Sequence, residues 1–485
     1  MAQTASTADI RLEGTGPSPT VGLRRGAIGR LESAAIGLAY IAPAAAVFIV
    51  YGAVTADAGT AIAFVMLMAA VAFAFHVNTV AEFNRTAPSP GFYVSYIAKS
   101  LGGSIGGIFS VIYPIGVLGI LATVVMGLGL WVNYVLVQLT GFHLSWWIPA
   151  VVLELVIGVM AYLGIRLSVR IAVTLFAFET LTLIVGGLAM LVAKSSFIAH
   201  SGSAFNPTRI PGGASAFGLA FTLAIFLYSG TTASSALSDE VREPRRNIPV
   251  AVFMAITLAM ILYVFAAWTL GIGFGESTSA ILHATFPFVA GSTAAAGPLR
   301  YFMYLAGFTS ASAVCIAVSN VLPRVVYSFG RAGLLPRRIA HVHPRKQTPD
   351  VAIVVVVSVS IILTLLWGGI AGGGFGFTGG FVAYAEIAGL ATDFLVLTFI
   401  VANFGLPVHY WKNHRELFSW WRHVIAPFAG TVLLAYPFWE SVKPTQPRPY
   451  NWFGLVLIGF VVIGGLVAWY ARRRAVDIAG VISSE

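Results

Sequence analysis

Of 485 residues, 58% are hydrophobic and only 9% are charged, against about 25% charged in a soluble globular chain. A soluble domain is excluded on those figures, and so is a disordered chain, which carries far less apolar surface. Formal net charge is +10, so the placement of the positive residues decides between nucleic-acid binding and membrane topology. The single cysteine, Cys315, lies in an apolar run. That rules out a disulfide framework or a cysteine-based metal cluster.

In chain order, twelve apolar windows are long enough to cross a bilayer at about 20 residues each. They fall at about 31–54, 59–81, 105–138, 145–163, 168–193, 216–238, 248–273, 297–328, 350–368, 380–404, 423–440 and 452–471. The third is long enough to need a tilt. None alternates as a barrel strand does. The first thirty residues are polar with scattered Arg, and no small-residue cleavage site follows the first window, so no cleavable signal peptide is expected. With the N-terminus inside, only Lys194, Arg209, Arg300, Lys443 and Arg448 of the 28 Lys and Arg residues fall outside. That asymmetry is the positive-inside rule. The basic balance is therefore membrane topology, and nucleic acid is not an expected partner. Both termini are expected in the cytoplasm.

Two windows are interrupted. Span 1 reads Gly37-Leu38-Ala39-Tyr40-Ile41-Ala42-Pro43-Ala44-Ala45-Ala46, and Pro43 lacks an N–H and clashes with the preceding turn. Span 6 reads Phe226-Leu227-Tyr228-Ser229-Gly230-Thr231-Thr232-Ala233-Ser234-Ser235, with a glycine among hydroxyls at mid-span. A proline alone predicts a kink. Interruptions at corresponding places in two five-helix halves predict a site, because broken helices expose N–H groups to an anion and carbonyls to a cation.

Longer motifs carry a resemblance. The exit of span 6 runs from Gly230 through Asp239, Glu240, Val241 and Pro244 to Ile248-Pro249. The end of span 2 has Ala81-Glu82-Phe83, then Pro88-Ser89-Pro90-Gly91-Phe92-Tyr93. The loop after span 8 has Tyr327-Ser328-Phe329-Gly330-Arg331, then Pro336, His343-Pro344 and Thr348-Pro349. Together these resemble the amino acid–polyamine–organocation permease family over roughly residues 30–474. The resemblance implies an all-α integral membrane protein with twelve transmembrane helices. It implies a five-plus-five inverted-repeat core at 31–404, two peripheral helices at 405–471, and cytoplasmic tails at 1–30 and 472–485.

The resemblance also implies substrate contacts at Ile41, Ala42, Pro43, Ala44 and Ala45 in span 1, and at Tyr228, Ser229, Gly230, Thr231 and Thr232 in span 6. Many members have a glycine-rich break where this chain has Ala42-Pro43-Ala44-Ala45-Ala46. That pattern looks closest to the putrescine-importer branch. The branch, however, carries a Phe-Asp pair where this chain has Thr231-Thr232. Losing the acid removes the partner for a substrate ammonium. A neutral or zwitterionic amino acid is therefore expected as substrate, and a polyamine is the alternative.

Ionisable residues at mid-membrane are functional candidates by default. They are His76, Glu154, Glu179, Glu386 and Asp393. Glu179 lies halfway along span 5, where some relatives carry a basic residue that stands in for sodium. A glutamate there suits a proton carrier, since burial disfavours its charged form. Thr309, Ser310 and Ser312 in span 8 are the matching candidates for ion coupling. Glu386 and Asp393 share one face of span 10. His76 and Glu154 read as packing groups. Glu82, Arg85, Asp239, Glu240 and Arg242 cluster at expected cytoplasmic helix ends and read as an inner gate.

No phosphate-binding loop is present, so no nucleotide is expected. Neither a cofactor nor a metal is implied. The expected function is secondary active amino acid uptake across a plasma (bacterial inner) membrane, with a small-molecule substrate, the bilayer and a coupling proton as partners. A membrane-embedded enzyme is the alternative from a different class, although no nucleophile motif accompanies His76 and Glu179.

Overall fold

The computed structural model describes residues 29–89, 91–164, 169–238, 241–331, 333, 335–370 and 374–473. The regular structure is helical, as it must be where no water can satisfy exposed backbone groups. Helix α1 is in two pieces, Arg30–Tyr40 and 43–58. Then come α2 (Ile62–Thr86), a short linking helix (Phe92–Leu101), α3 (Gly103–Thr140), α4 (Trp147–Tyr162) and α5 (Val169–Ala193). Helix α6 (Gly213–Ser229) tightens into a 3₁₀ turn over Gly230–Leu237. The second half holds α7 (Pro244–Gly273), α8 (Leu299–Arg331), α9 (Asp350–Ile370), α10 (Phe377–Asn413), α11 (Ala426–Val442) and α12 (Phe453–Arg473).

Each apolar window of the sequence falls on one of these helices. Among the described residues, however, nine stretches are long and apolar enough to cross a membrane. The gap from twelve has physical reasons. The second piece of α1 and the whole of α2 run on as one stretch, Pro43–Thr86. Helix α4 has only 16 residues, about 24 Å at 1.5 Å per residue. Helix α11, which continues the π turn at Trp421–Ile425, brings Arg422, His423 and Glu440 into its span and is less apolar. By contrast, α3 has 38 residues, about 57 Å, and exceeds a hydrocarbon core of about 30 Å unless tilted.

The two interrupted helices lie at the centre. The first piece of α1, Arg30–Tyr40, packs on α7 and on the 3₁₀ end of α6. Around them, α3 packs against α10, α12 lies on α3, and α11 contacts α2, α6 and α10. Large apolar side chains such as Val192, Ile370, Ile458 and Leu466 are exposed on the outer helices. Water would not tolerate such a surface on a monomer, whereas lipid does. The tails at 1–28 and 474–485 lie outside the described residues.

Candidate functional site at two broken helices

The break in α1 begins with proline chemistry. Pro43 disfavours the right-handed helical region for the residue before it. Ala42 accordingly sits at φ 43° and ψ 68°, a left-handed conformation that costs a non-glycine residue roughly 1–2 kcal/mol. It persists because neighbouring helices satisfy the released backbone groups. Tyr263 Oη of α7 donates to the Ile41 carbonyl at 3.1 Å. Ala45 N–H donates to Ser310 Oγ of α8 at 3.1 Å, and Ala44 N–H points at Glu179 Oε2 of α5 at 3.5 Å. Ser310 Oγ in turn donates to Glu179 Oε2 at 2.6 Å. Glu179 and Ser310 therefore cap the N-terminus of the second half-helix of α1, where N–H groups favour negative charge.

The break in α6 is milder. The helix continues past Gly230 as a 3₁₀ turn. Its hydroxyls bond back along the chain: Ser229 to the Phe226 carbonyl, Thr231 to Tyr228, and Thr232 to Ser229 at 3.2 Å. Gly230 is required by the approach of the two helices. A Cβ there would come within 3.0 Å of Ile41 Cγ2 and of the Tyr40 carbonyl oxygen. Gly37 is the counterpart on α1, since its Cβ would meet the Thr231 carbonyl oxygen at 3.0 Å.

A cavity of about 90 Å³ opens where the breaks meet. Of the ten expected contacts, Ile41, Ala42, Ala45, Ser229 and Gly230 line it. Tyr40 and Tyr384 supply its only phenols. Its lining contains no Asp, Glu, Lys, Arg or His among the described residues. A second cavity of about 100 Å³ shares Tyr40, Ser229 and Gly230, and adds Tyr93, Tyr113 and Thr232. Pro43, Ala44, Tyr228 and Thr231 line neither of these two cavities. The Tyr228 phenol turns away and donates to the Met66 carbonyl at 3.1 Å.

The other expected residues divide. Thr309 bonds carbonyls of its own helix, at Leu305 and Ala306, rather than Glu179. Ser312 is half-buried. Glu82 and Arg85 pair at 3.3 Å, but Glu82 also receives His423 Nε2 at 3.2 Å and Tyr410 Oη at 3.1 Å. Its carboxylate thus faces α10 and the turn before α11. Arg242 is exposed. Asp239 and Glu240 lie outside the described residues. Glu386 accepts from Trp367 Nε1 at 2.9 Å, and Asp393 accepts from Ser441 Oγ at 3.1 Å.

Sequence reasoning missed Tyr263, Tyr40 and Tyr93. A tyrosine in an apolar helix reads as packing until a partner is seen. His76 also belongs to a polar chain rather than to featureless packing, with its ring nitrogens at 2.8 Å from Tyr93 Oη and 2.9 Å from Asn403 Oδ1.

Known proteins agree with this architecture. The family model described as "Amino acid permease" matches residues 28–467. The branched-chain amino acid permease of Bacillus subtilis (strain 168) is 26% identical over 328 residues, spanning 62% of this chain and 66% of that one. The methylthioribose transporter of the same organism is 24% identical over 457 residues, covering 88% and 90%. Similarity to a low-affinity putrescine importer of Escherichia coli (strain K12) reaches 26% but covers only 29% of this chain and 31% of that one. A crystal structure of a manganese transporter from Eremococcus coleocola superposes with a TM-score of 0.56 at 12% identity, over 93% of this chain and 94% of that one. At that identity the superposition speaks for the all-α fold alone. The matched residues take in both broken helices and every helix packed around them, and the chain belongs to the amino acid permease family.

Proposed function

We propose that this permease moves a neutral or zwitterionic amino acid by alternating access. The observation that carries the reading is the cavity between the breaks, whose lining offers backbone groups, hydroxyls and apolar side chains but, among the described residues, no Asp, Glu, Lys, Arg or His. Broken helices supply N–H groups for a carboxylate and carbonyls for an ammonium. A diamine would bring two positive charges to a wall without an anion, and desolvating them unpaired is costly. Substrate contacts are assigned to Ile41, Ala42, Ala45, Ser229 and Gly230, with Pro43, Ala44, Tyr228, Thr231 and Thr232 shaping the breaks.

In this reading Glu179 carries the coupling proton. It joins the α1 break to Ser310, so protonation changes what caps the half-helix. Glu82, Arg85, Asp239, Glu240 and Arg242 form the cytoplasmic gate, and the protein sits in a plasma membrane with both termini inside. The transport core is 31–404.

The test is thermal stability of the purified protein with L-leucine, L-lysine, putrescine and methylthioribose, followed by uptake into proteoliposomes with and without a pH gradient. A ligand that binds the folded state raises apparent stability by mass action, about 2.7 kcal/mol at a hundredfold excess over Kd. Stabilisation by L-leucine, with gradient-driven uptake, is the expected result. Stabilisation by L-lysine, putrescine or methylthioribose without L-leucine would overturn it.

A further inference from the structure

Helix α6 carries a hydroxyl between two acceptors. Thr232 Oγ1 lies 3.2 Å from the Ser229 carbonyl oxygen and 3.4 Å from Tyr93 Oη. Ser229 is on the wall of both central cavities, and Tyr93 and Thr232 are on the wall of the second. Which way Tyr93 presents its oxygen is set from behind. Thr79 Oγ1 donates to Asn403 Oδ1 at 2.7 Å, so that oxygen is an acceptor. In this orientation of the Asn403 amide, which leaves its Nδ2 without a partner among the described residues, His76 Nδ1, 2.9 Å from the same oxygen, is the N–H of the ring. A neutral imidazole has one donor and one acceptor. His76 Nε2 is therefore the acceptor, and Tyr93, 2.8 Å away, donates to it. With its proton committed to His76, the Tyr93 oxygen offers a lone pair towards Thr232. The ring of His76 is itself held, stacked on Phe399 at 4.4 Å. His76, Tyr93 and Thr232 are each buried.

We propose that Tyr93, oriented by His76, is a positioning residue for recognition of the substrate's primary ammonium. When the ammonium takes the Ser229 carbonyl at the break, the Thr232 hydroxyl moves from that carbonyl to Tyr93. The carbonyl is released without leaving a buried hydroxyl unpaired, which would be costly. No covalent bond changes, and each proton stays on its own oxygen or nitrogen. Tyr93 sits outside the broken segments, so it acts through Thr232. The inference rests on the amino acid reading above and deepens it.

The experiment measures dissociation constants of the full-length protein for L-leucine and L-lysine. Each is paired with the same skeleton lacking the α-amino group, isocaproate and ε-aminocaproate. In Tyr93→Phe, affinity for the amino acid is expected to fall by up to about tenfold, the scale of one hydrogen bond, while affinity for the partner acid is unchanged. Thr232→Val should show no such loss, because no hydroxyl then has to leave the Ser229 carbonyl. The double variant should regain the discrimination lost in Tyr93→Phe, because the hydroxyl left unpaired there is gone. His76→Phe should follow Tyr93→Phe, and His76→Gln should restore discrimination, because its side-chain oxygen replaces Nε2 as acceptor. Equal losses for both members of each pair would make Tyr93 a packing residue and overturn the proposal. So would an unchanged ratio in Tyr93→Phe, or a loss in Tyr93→Phe that adding Thr232→Val does not relieve. If neither amino acid binds the wild-type protein, the amino acid reading itself falls, and this inference with it.

Discussion

Glu179 is the residue at which three helices exchange bonds, taking the Ser310 hydroxyl of α8 and facing the Ala44 N–H of α1. A glutamine there keeps the shape and an oxygen acceptor but carries no titratable proton. Glu179→Gln is therefore expected to fold and to exchange labelled amino acid across the membrane, while losing accumulation driven by a pH gradient. Retention of that accumulation in proteoliposomes would remove Glu179 from proton coupling. Ser310→Ala tests the cap separately. It leaves the Ala45 N–H and one carboxylate contact without their partner, at a cost of about 1–3 kcal/mol, visible as a lower Tm. Glu179 was legible because an acid at mid-span is conspicuous in an apolar sequence. Tyr263, which holds the Ile41 carbonyl, was not, because only the folded neighbour distinguishes a bonded phenol from a packed one.

At the scale of elements, the breaks were legible and their unequal geometry was not. Pro43 announced the first break, and the left-handed Ala42 follows from it. In α6 the glycine suggested a comparable interruption, yet the chain keeps turning as a 3₁₀ segment. Ser229, Thr231 and Thr232 bond back to carbonyls one turn earlier, and that local pairing holds the segment together. What Gly230 supplies is room for α1 rather than an open loop. Gly230→Val and Gly37→Val should each force the two helices apart, at about 1–3 kcal/mol of overpacking, and should depress uptake as well as Tm. Gly271 of α7 is the control, with nothing within 4 Å of a Cβ built there. Gly271→Ala is expected to be neutral or slightly stabilising, since glycine costs a helix interior roughly 0.5–1 kcal/mol relative to alanine. Tm and initial uptake rates on the three variants check this, and equal behaviour of all three would show that helix contact at the breaks is not tight.

For the whole molecule, the apolar windows and the charge asymmetry disclosed a helical membrane protein. They could not disclose how the last two helices differ, because both look alike as apolar runs. Helix α12 meets the rest through apolar surface such as Phe460 against Phe394, and exposes Leu455, Ile458, Val462 and Leu466. Helix α11 covers polar groups. Ser441 donates to the fully buried Asp393. His423, in the turn leading into α11, reaches Glu82 and stacks on Tyr410 with ring centroids 3.5 Å apart. A Cβ on Gly430 would lie 3.3 Å from Asn403 Nδ2 and from the His76 backbone nitrogen. Removing α11 would turn Asp393 and the Asn403 network towards lipid, where unpaired polar groups cost several kcal/mol each. A chain ending at residue 449, without α12, is therefore expected to accumulate in membranes and keep measurable uptake. A chain ending at residue 418, without either helix but with α10 whole, is expected to be degraded. Membrane abundance by immunoblot, with uptake normalised to it, distinguishes the two. Equal survival of both chains would mean that α11 is as peripheral as α12, and that the buried acid on α10 finds its partner elsewhere.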